Sequence, residues 1–519
     1  MKKILLLNFM FCILFSAFSQ TTFQKTYGGG LSEAGNFIVQ TADGGYAVCG
    51  LRQIPFSYAD GYLLRLSAVG DTLWTNMSIG PTDVTAYAIT QTADQGYVVA
   101  GFYDEQFVGG RDVYLEKRDS IGNLLWLYKY GGGMTDEGYA MQQTSDNGFI
   151  IAGMTRSFGS GNADMYIVKT DNSGNLLWTQ VFGHSGNEYA YSIKETSDGG
   201  FIIAGKGSVG AGGTDMLLVK TNSTGNILWS KTFGTTANED GYSVEQTNDS
   251  GFIIAGSNGV TSGYYNVLLI KTDTSGTLQW SKTYTNLLHN YGKSVRQTAD
   301  GGYVIAGYTD NTGINSADAY LVKTDGSGNM LWSKTYGVAT WTELAYCVQQ
   351  TNDGGYILSG YTNTASNGHD VYIVKTDSQG NSGCNEAAGS TTVNTISLQV
   401  MPDTLSVSSG GAMDLDNPQI SSEGTFATLC LITGNDETSR SENQISIYPI
   451  PSASEVTLNF RREASRDVLL RNMLGEILFA VTASAVQLKI DMRDFPKGIY
   501  FVSARDEKNN LVVRKIVKM

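Results

Sequence analysis

Residues 196–205 read TSDGGFIIAG, and close relatives of this stretch occur six more times in the chain. The Gly-aromatic step falls at Tyr46, Tyr97, Phe149, Phe201, Phe252, Tyr303 and Tyr356, 51 to 53 residues apart. An Asp-Gly-Gly run serves as a ligand cradle or as a turn, and sevenfold recurrence favours the turn. Its middle place is Gly44, Gln95, Asn147, Gly199, Ser250, Gly301 and Gly354, whereas the Asp and the final Gly never vary. Tolerance of Gln, Asn and Ser argues that the middle place does not need positive φ. It also argues against a type I′ turn and for a type I turn closed by a left-handed Gly bulge, with Asp and Thr bonding the turn amides.

Four β-like runs surround each copy, as in AYSIKET, GFIIAG, DMYIVKTD and LWSKTYG, each bounded by Gly, Asp, Asn or Ser. Four strands per unit of about 50 residues, repeated, is the pattern of a β-propeller. The last DVYIVKTD (370–377) has no LW run after it, and Phe23–Gly28 supplies the missing strand from the other end of the chain. A closed ring uses such a displaced strand and an open solenoid does not. The fold class expected is all-β: a seven-bladed β-propeller closed by the N-terminal strand, then a small β-linker and a C-terminal β-sandwich. The short connections make the four runs strands A to D, with A innermost. At the level of sequence the units over residues 23–381 resemble the SBBP-type repeats of secreted bacterial proteins, a resemblance that implies fold and little about activity.

Lys2 and Lys3 precede an apolar run from Ile4 to Phe18 and then Ser19-Gln20, so residues 1–20 read as a signal peptide, with no further candidate membrane span. The domains expected are 1–20 signal peptide, 21–383 propeller, 384–440 β-rich linker module and 441–519 C-terminal domain. Charge supports the last boundary: the chain carries 35 basic and 49 acidic residues, yet from Asn443 onward there are 12 basic against 8 acidic. The acidic body argues against nucleic-acid binding. Export permits a disulfide, for which Cys384 and Cys430 are the expected pair, leaving Cys49 and Cys347 as buried thiols.

The C-terminal segment opens with ISIYPIPSASEVTLNF (445–460) and contains LKIDMRDFPKGIYFVSA (488–504). It resembles the type A C-terminal sorting domain of the type IX secretion system, through Tyr448, Pro449 and Pro451, then Lys497, Gly498 and Tyr500, then Arg514, Lys515 and Lys518. Ile450 stands where that family has Asn. The resemblance implies the type IX machinery as partner and an extracellular or outer-membrane surface location.

No GxSxG, HExxH, P-loop, CxxC or DxDxDG motif occurs. No catalytic or metal residue and no cofactor is therefore assigned, with calcium at the turns DNSGN (171–175) and DGSGN (325–329) a minor alternative to a plain hairpin. His184, His289 and His369 belong to different blades and predict no shared metal. Six Trp at one place of strand D, from Trp74 to Trp332, predict packing between blades. The strand C cation, Lys169 for instance, follows an Asp by five residues, so the two lie on opposite faces; the Asp is expected to cap the preceding turn and the cation to find a neighbouring strand. A ligand is expected on the loop-rich face, with Phe56, Tyr58, Phe107, Arg111, Arg156, Phe158, Tyr264 and Trp341 as candidates. The function expected is a non-catalytic exported scaffold binding protein or glycan. A polysaccharide lyase or glycosidase, and a structural or adhesion component, are the alternatives.

Overall fold

The computed structural model describes residues 20–519 except 54–57, 81, 106–109, 209–212, 261–262, 287, 311–316, 339, 365–367, 411, 416–424, 433–444, 449–454, 461–464, 473–476, 485, 507–510 and 519. The described residues form strands and turns without a helix. They fall in two compact units divided after Gly434.

In the first unit, the sheet holding the opening stretch sets Glu188–Glu195, Phe201–Gly207, Asp215–Thr221 and Ile227–Gly234 side by side and antiparallel. These are strands A to D of blade 4. Six other sheets repeat the plan, giving a propeller-like series from blade 1 (strand A at Ser32–Gln40) to blade 7 (strand A at Glu343–Gln350). In blade 7 the outer place is taken by Thr22–Gly28, which pairs with Gly368–Thr376 so that Phe23 faces Lys375.

The A–B turn departs from the expected geometry at one place. Its hydrogen bonds are those of a type I turn with a bulge: in blade 4, Gly199 N–H donates to Thr196 O at 2.8 Å and Thr196 N–H to Gly200 O at 2.8 Å. The left-handed residue, however, is the middle one in all seven copies, from Gly44 (φ 81°) to Gln95 (63°), Asn147 (65°) and Ser250 (66°). Gln and Ser occupy this region at a modest cost, which the turn's other contacts outweigh. The invariant Gly beside it is needed for space: a Cβ on Gly200 would overlap Thr221 O and sit 2.6 Å from Lys220 Nζ. That lysine is the partner of the invariant Asp. Lys220 Nζ lies 2.9 Å from Asp198 Oδ2, and Asp198 Oδ1 accepts from Thr196 Oγ1 and Gly200 N–H. The pair recurs in every blade, from Arg65–Asp43 to Lys375–Asp353. Strand C thus binds the turn of its own blade, with the cation buried and the carboxylate half in water.

Blades are joined by three repeated contacts. The Trp of each strand D covers the left-handed Gly of the next blade's C–D turn, from Trp74 on Gly122 to Trp332 on Gly380, and Phe23 does the same for Gly70 of blade 1. Where strand D ends in Tyr, its hydroxyl donates to that Gly carbonyl, as Tyr130 does to Gly174 at 2.6 Å. The A–B turns are also linked in series, and Asn352 N–H of blade 7 donates to Gln40 Oε1 of blade 1 at 2.9 Å. Blade 1 has Ser78 where the others have Tyr or, in blades 3 and 4, Phe182 and Phe233. Arg118 of blade 2 fills the gap, donating to Gly122 O at 3.0 Å and paired with fully buried Glu116 at 2.8 Å.

Residues 386–432 are not a separate module, because their strands extend the blades. Glu386–Ala388, Thr392–Thr395, Gln399–Pro402, Ser406–Ser408 and Ala412–Leu415 pair in turn with strand D of blades 6, 5, 4, 3 and 2. Thr425–Ile432 then pairs with Thr22–Gly28 of blade 7. The segment is a belt running against the order of the blades. The Ser or Thr after the strand D Trp of blades 3 to 6 holds it: Ser281 Oγ donates to Ile396 O at 2.6 Å and Thr179 Oγ1 to Gly410 O at 2.6 Å. Leu398 and Leu405 add apolar surface to the cores between blades. Cys384 is disulfide-bonded, and backbone register sets Cys430 opposite Gln24, whose amide donates to Cys384 O. Cys49 and Cys347 are buried free thiols.

The second unit holds two sheets around one core of Val456, Leu458, Val468, Leu470, Ile490 and Val502. One orders Ile445–Tyr448, Glu455–Phe460 and Gln487–Asp491; the other orders Ile477–Ala483, Arg466–Asn472, Gly498–Asp506 and Leu511–Lys518.

Candidate functional site

Every strand A carries a β-bulge, and the bulges build the site. In blade 3 the register passes from Gly138↔Gly153 to Ala140↔Ala152, leaving Tyr139 as the extra residue. A bulged residue re-aims its side chain. The last Gly of GFIIAG makes the bulge possible, since a Cβ on Gly205 would overlap Tyr189 O of the adjoining strand. The bulged place is Asn36, Tyr87, Tyr139, Tyr191, Tyr242, Lys293 and Tyr346. All seven line one cavity of about 630 Å³ bounded by the inner strands.

Four of these rings form an arc: Tyr87 to Tyr139 at 5.7 Å, Tyr139 to Tyr191 at 5.5 Å and Tyr191 to Tyr242 at 5.4 Å between centroids. Lys293 continues it, with Nζ 3.5 Å from the Tyr242 centroid. Towards the starts of the A strands, Tyr139 and Tyr242 donate to Glu137 Oε2 (2.7 Å) and Asp240 Oδ2 (2.9 Å). Those carboxylates also meet Arg111 (2.6 Å) and Lys206 (3.3 Å). Towards the A–B turns the cavity reaches Lys194 and Arg296. Burial pulls Lys194 and Lys293 down to about 8, the nearby Arg296 charge adding to the effect on Lys194. At the level between, hydroxyls tie one strand A to the next: Ser192 accepts from Val244 N–H and Ser243 from Val295 N–H, both at 3.1 Å.

A second group of titratable residues lies at the blade junctions. The strand C Asp faces an acid at the start of the next blade's strand A: Asp112 with Asp136, Asp164 with Glu188, Asp215 with Glu239, Asp318 with Glu343 and Asp370 with Glu33. Asp164 also accepts from Gly161 N–H at 3.0 Å, capping the preceding turn as expected. The last Gly of strand D opens the space, since a Cβ on Gly131, Gly183 or Gly234 would overlap the Asp carboxylate. Burial raises Glu33 and Glu343 to about 7, and Asp215 to about 6, with the neighbouring acid adding to the shift of Asp215 and Glu343. The exceptions change together. Blade 5 has Asn266 and Thr285 against Asn290, with Thr285 Oγ1 donating to Asn266 Oδ1 at 2.9 Å. Blade 1 has Asp60 and Ile79 against Val84.

The sequence candidates are dispersed. Phe56 and Phe107 lie outside the described residues. Arg111 reaches the cavity through Glu137 and stacks 4.2 Å over Phe102. Phe158 faces the outer edge, against Gly132 and the belt's Gly410. Tyr58 and Arg156 are exposed, Tyr264 stands edge-on to His289 at 5.2 Å, and Trp341 is half-buried. Of the three His, His369 lines the cavity, whereas His184 bonds the belt's Asp403 at 3.0 Å. In the turns DNSGN and DGSGN the Asp oxygens are taken by the turn itself, Asp171 accepting from Ser173 N–H, Asn175 N–H and Asn175 Nδ2. Among the described residues no three His, Cys, Asp or Glu side chains are grouped to hold a metal ion.

In the second unit, Tyr500 donates to Pro496 O at 2.5 Å and Lys518 donates to Arg493 O at 2.9 Å, so the basic end folds back on the turn before Lys497 and Gly498. Arg514 and Lys515 pair in register with Val502 and Phe501; Tyr448 ends a strand, and Pro449 and Pro451 lie outside the described residues.

No curated protein matches the chain. Among solved structures it is similar to PorZ, a surface component of the type-IX secretion system of Porphyromonas gingivalis, at 11% identity and a TM-score of 0.40. The match covers 92% of this chain and 58% of that one, so the chain spans less than two thirds of its length. It is similar at 10% identity and a TM-score of 0.23 to the extracellular domain of a one component system from B. thetaiotaomicron, covering 96% of this chain and 100% of that one. An endo-1,5-alpha-L-arabinanase from Thermotoga petrophila is matched at 10% identity and a TM-score of 0.24, over 69% of this chain and 100% of that one. Residues 446–519 match the family described as the Secretion system C-terminal sorting domain. The chain is therefore a β-rich protein whose C-terminal tail marks it for type IX export to the cell surface or beyond.

Proposed function

We propose that the seven sheets close into a seven-bladed propeller, and that this exported scaffold binds protein or glycan at its axial channel without catalysis or cofactor. The observation that carries the reading is the arc of tyrosines contributed by one bulged place in successive blades. Aromatic rings along a concave wall present apolar faces and hydroxyls together, a surface suited to ligand faces of mixed polarity. The acids at the channel, Glu137 and Asp240, are each engaged by a tyrosine hydroxyl and a cation, which supports binding over proton transfer. A screen of glycans and purified proteins with the secreted full chain tests this, against a Tyr139→Ala/Tyr191→Ala variant of unchanged melting temperature. Ligand loss in the variant is expected; a ligand retained, or none bound by either, overturns the reading. The type IX machinery is the partner proposed for the C-terminal unit. Deletion of residues 443–519 is expected to keep the chain in the cell, and undiminished secretion refutes the sorting role.

A further inference from the structure

The channel wall gathers cations within an acidic chain, alongside the acids Glu33 and Glu137. The whole chain carries a formal net charge of −14, yet the cations Lys293, Lys194 and Arg296 reach the cavity. Two acids near the other mouth, Glu137 and Asp240, are matched by Arg111 and Lys206. Arg296 is occupied by neutral oxygens, Gln349 Oε1 at 3.0 Å and Val295 O at 2.6 Å. Glu245, between Lys194 and Arg296 in blade order, accepts from Gln297 N–H at 3.2 Å. Among the described residues neither Lys194 nor Lys293 makes a hydrogen bond or ion pair, although Glu245 and Asp240 respectively act on them through space; Lys293 packs on the ring faces of Tyr242, Tyr291 and Tyr308 at 3.5, 5.4 and 5.9 Å.

A cation desolvated with no carboxylate in contact is costly, and a ligand carboxylate would supply the missing contact. The cost shows in the lowered proton affinity of both lysines, burial being the main cause. The two lie at different depths. Lys293 stands at the level of the tyrosine arc and Lys194 three places further along its own strand A, towards the A–B turns. A ligand meeting both has negative charge at intervals along its length and flat, partly apolar faces between.

We infer that the channel takes an acidic oligosaccharide, its sugar faces on the arc from Tyr87 to Tyr242 and its carboxylates at Lys293 and at the Lys194–Arg296 end. This rests on the binding reading above and names the ligand class. Uronate chains have the required repeat, one carboxylate per ring. A neutral chain leaves both lysines unpaired, so discrimination comes from what the site lacks without the anion.

The test is titration calorimetry on the secreted full chain with a galacturonate tetramer, its methyl ester and a glutamate tetrapeptide. The acid tetramer is expected to bind at least about tenfold more tightly than the ester at low salt, the gap narrowing as salt rises. Lys293→Met and Lys194→Met should each narrow that gap and the double variant should close most of it, with the ester affected less than the acid; both replace a desolvated charge with an apolar side chain, and unchanged melting temperatures verify the fold. Tyr191→Ala should weaken both sugars. Equal binding of acid and ester overturns the inference and leaves the glycan reading standing. If neither sugar binds, the glycan form of both falls. Tighter binding of the peptide than of the acid tetramer assigns the channel to protein carboxylates and overturns the saccharide.

Discussion

Glu343→Gln should stabilise this protein at alkaline pH and leave it almost unchanged at acid pH. Glu343 is 1% exposed, accepts from Thr362 Oγ1 at 2.9 Å, and faces Asp318 across the space opened by Gly337. Burial, with the Asp318 charge adding to it, moves its carboxyl from 4.5 to about 7. The folded value is above the unfolded one, so the folded state holds the proton more tightly. Its contribution is complete below about pH 4.5 and is lost as pH rises to about 7. At 1.36 kcal/mol per pH unit the loss amounts to about 3 kcal/mol by pH 8. Glutamine is the neutral isostere and does not titrate, so urea midpoints of wild type and variant should converge at pH 4.5 and separate in favour of the variant at pH 8. Asn266 and Asn290 show that the same junction is built from two amides elsewhere in the chain. Parallel midpoint curves across this range, or a variant weakened equally at both ends, would refute the argument from the raised Glu343 carboxyl.

Two further substitutions follow from the junctions. Arg118→Met leaves buried Glu116 without its cation and should cost about 3–5 kcal/mol in urea unfolding, whereas Glu116→Val/Arg118→Met recovers most of the loss; equal losses in the two would refute the pairing. Gly183→Thr places a side chain where Asp164 stands and should lower the melting temperature sharply. Adding Asp164→Asn and Glu188→Asn recreates the Thr285, Asn266 and Asn290 combination and should restore it, and failure to do so would show that the three positions are not one unit.

How much of this was legible depended on whether a residue type recurred at every copy. The four-strand unit and the displaced Phe23–Gly28 strand were readable because length and apolar alternation repeat seven times. The partner of Lys220 was not, because strand C and the A–B turn meet only once the blade is folded. The left-handed residue was misplaced for a physical reason: an invariant Gly suggests backbone freedom, yet Gly200 is invariant for want of space and Gln95 carries the unusual φ. The tyrosine arc was hidden by its own bulge, which breaks the two-residue alternation by which inward-facing residues are found. It was nonetheless present as Tyr87, Tyr139, Tyr191, Tyr242 and Tyr346 at one repeat place. The belt gave the weakest signal, since strands such as Ser406–Ser408 are too short for periodicity; its trace inside the repeats is the Ser or Thr after the Trp of blades 3 to 6.

The first described strand, Thr22–Gly28, pairs on one side with residues near 375 and on the other with residues near 430. Pairings this remote in sequence form late, after the closure entropy of the intervening chain has been met. A chain emerging from a translocon in order therefore carries an orphan strand ahead of it until blade 7 arrives. The sheet that holds this strand is therefore the last of the seven to be finished, and until then its outer place stands empty.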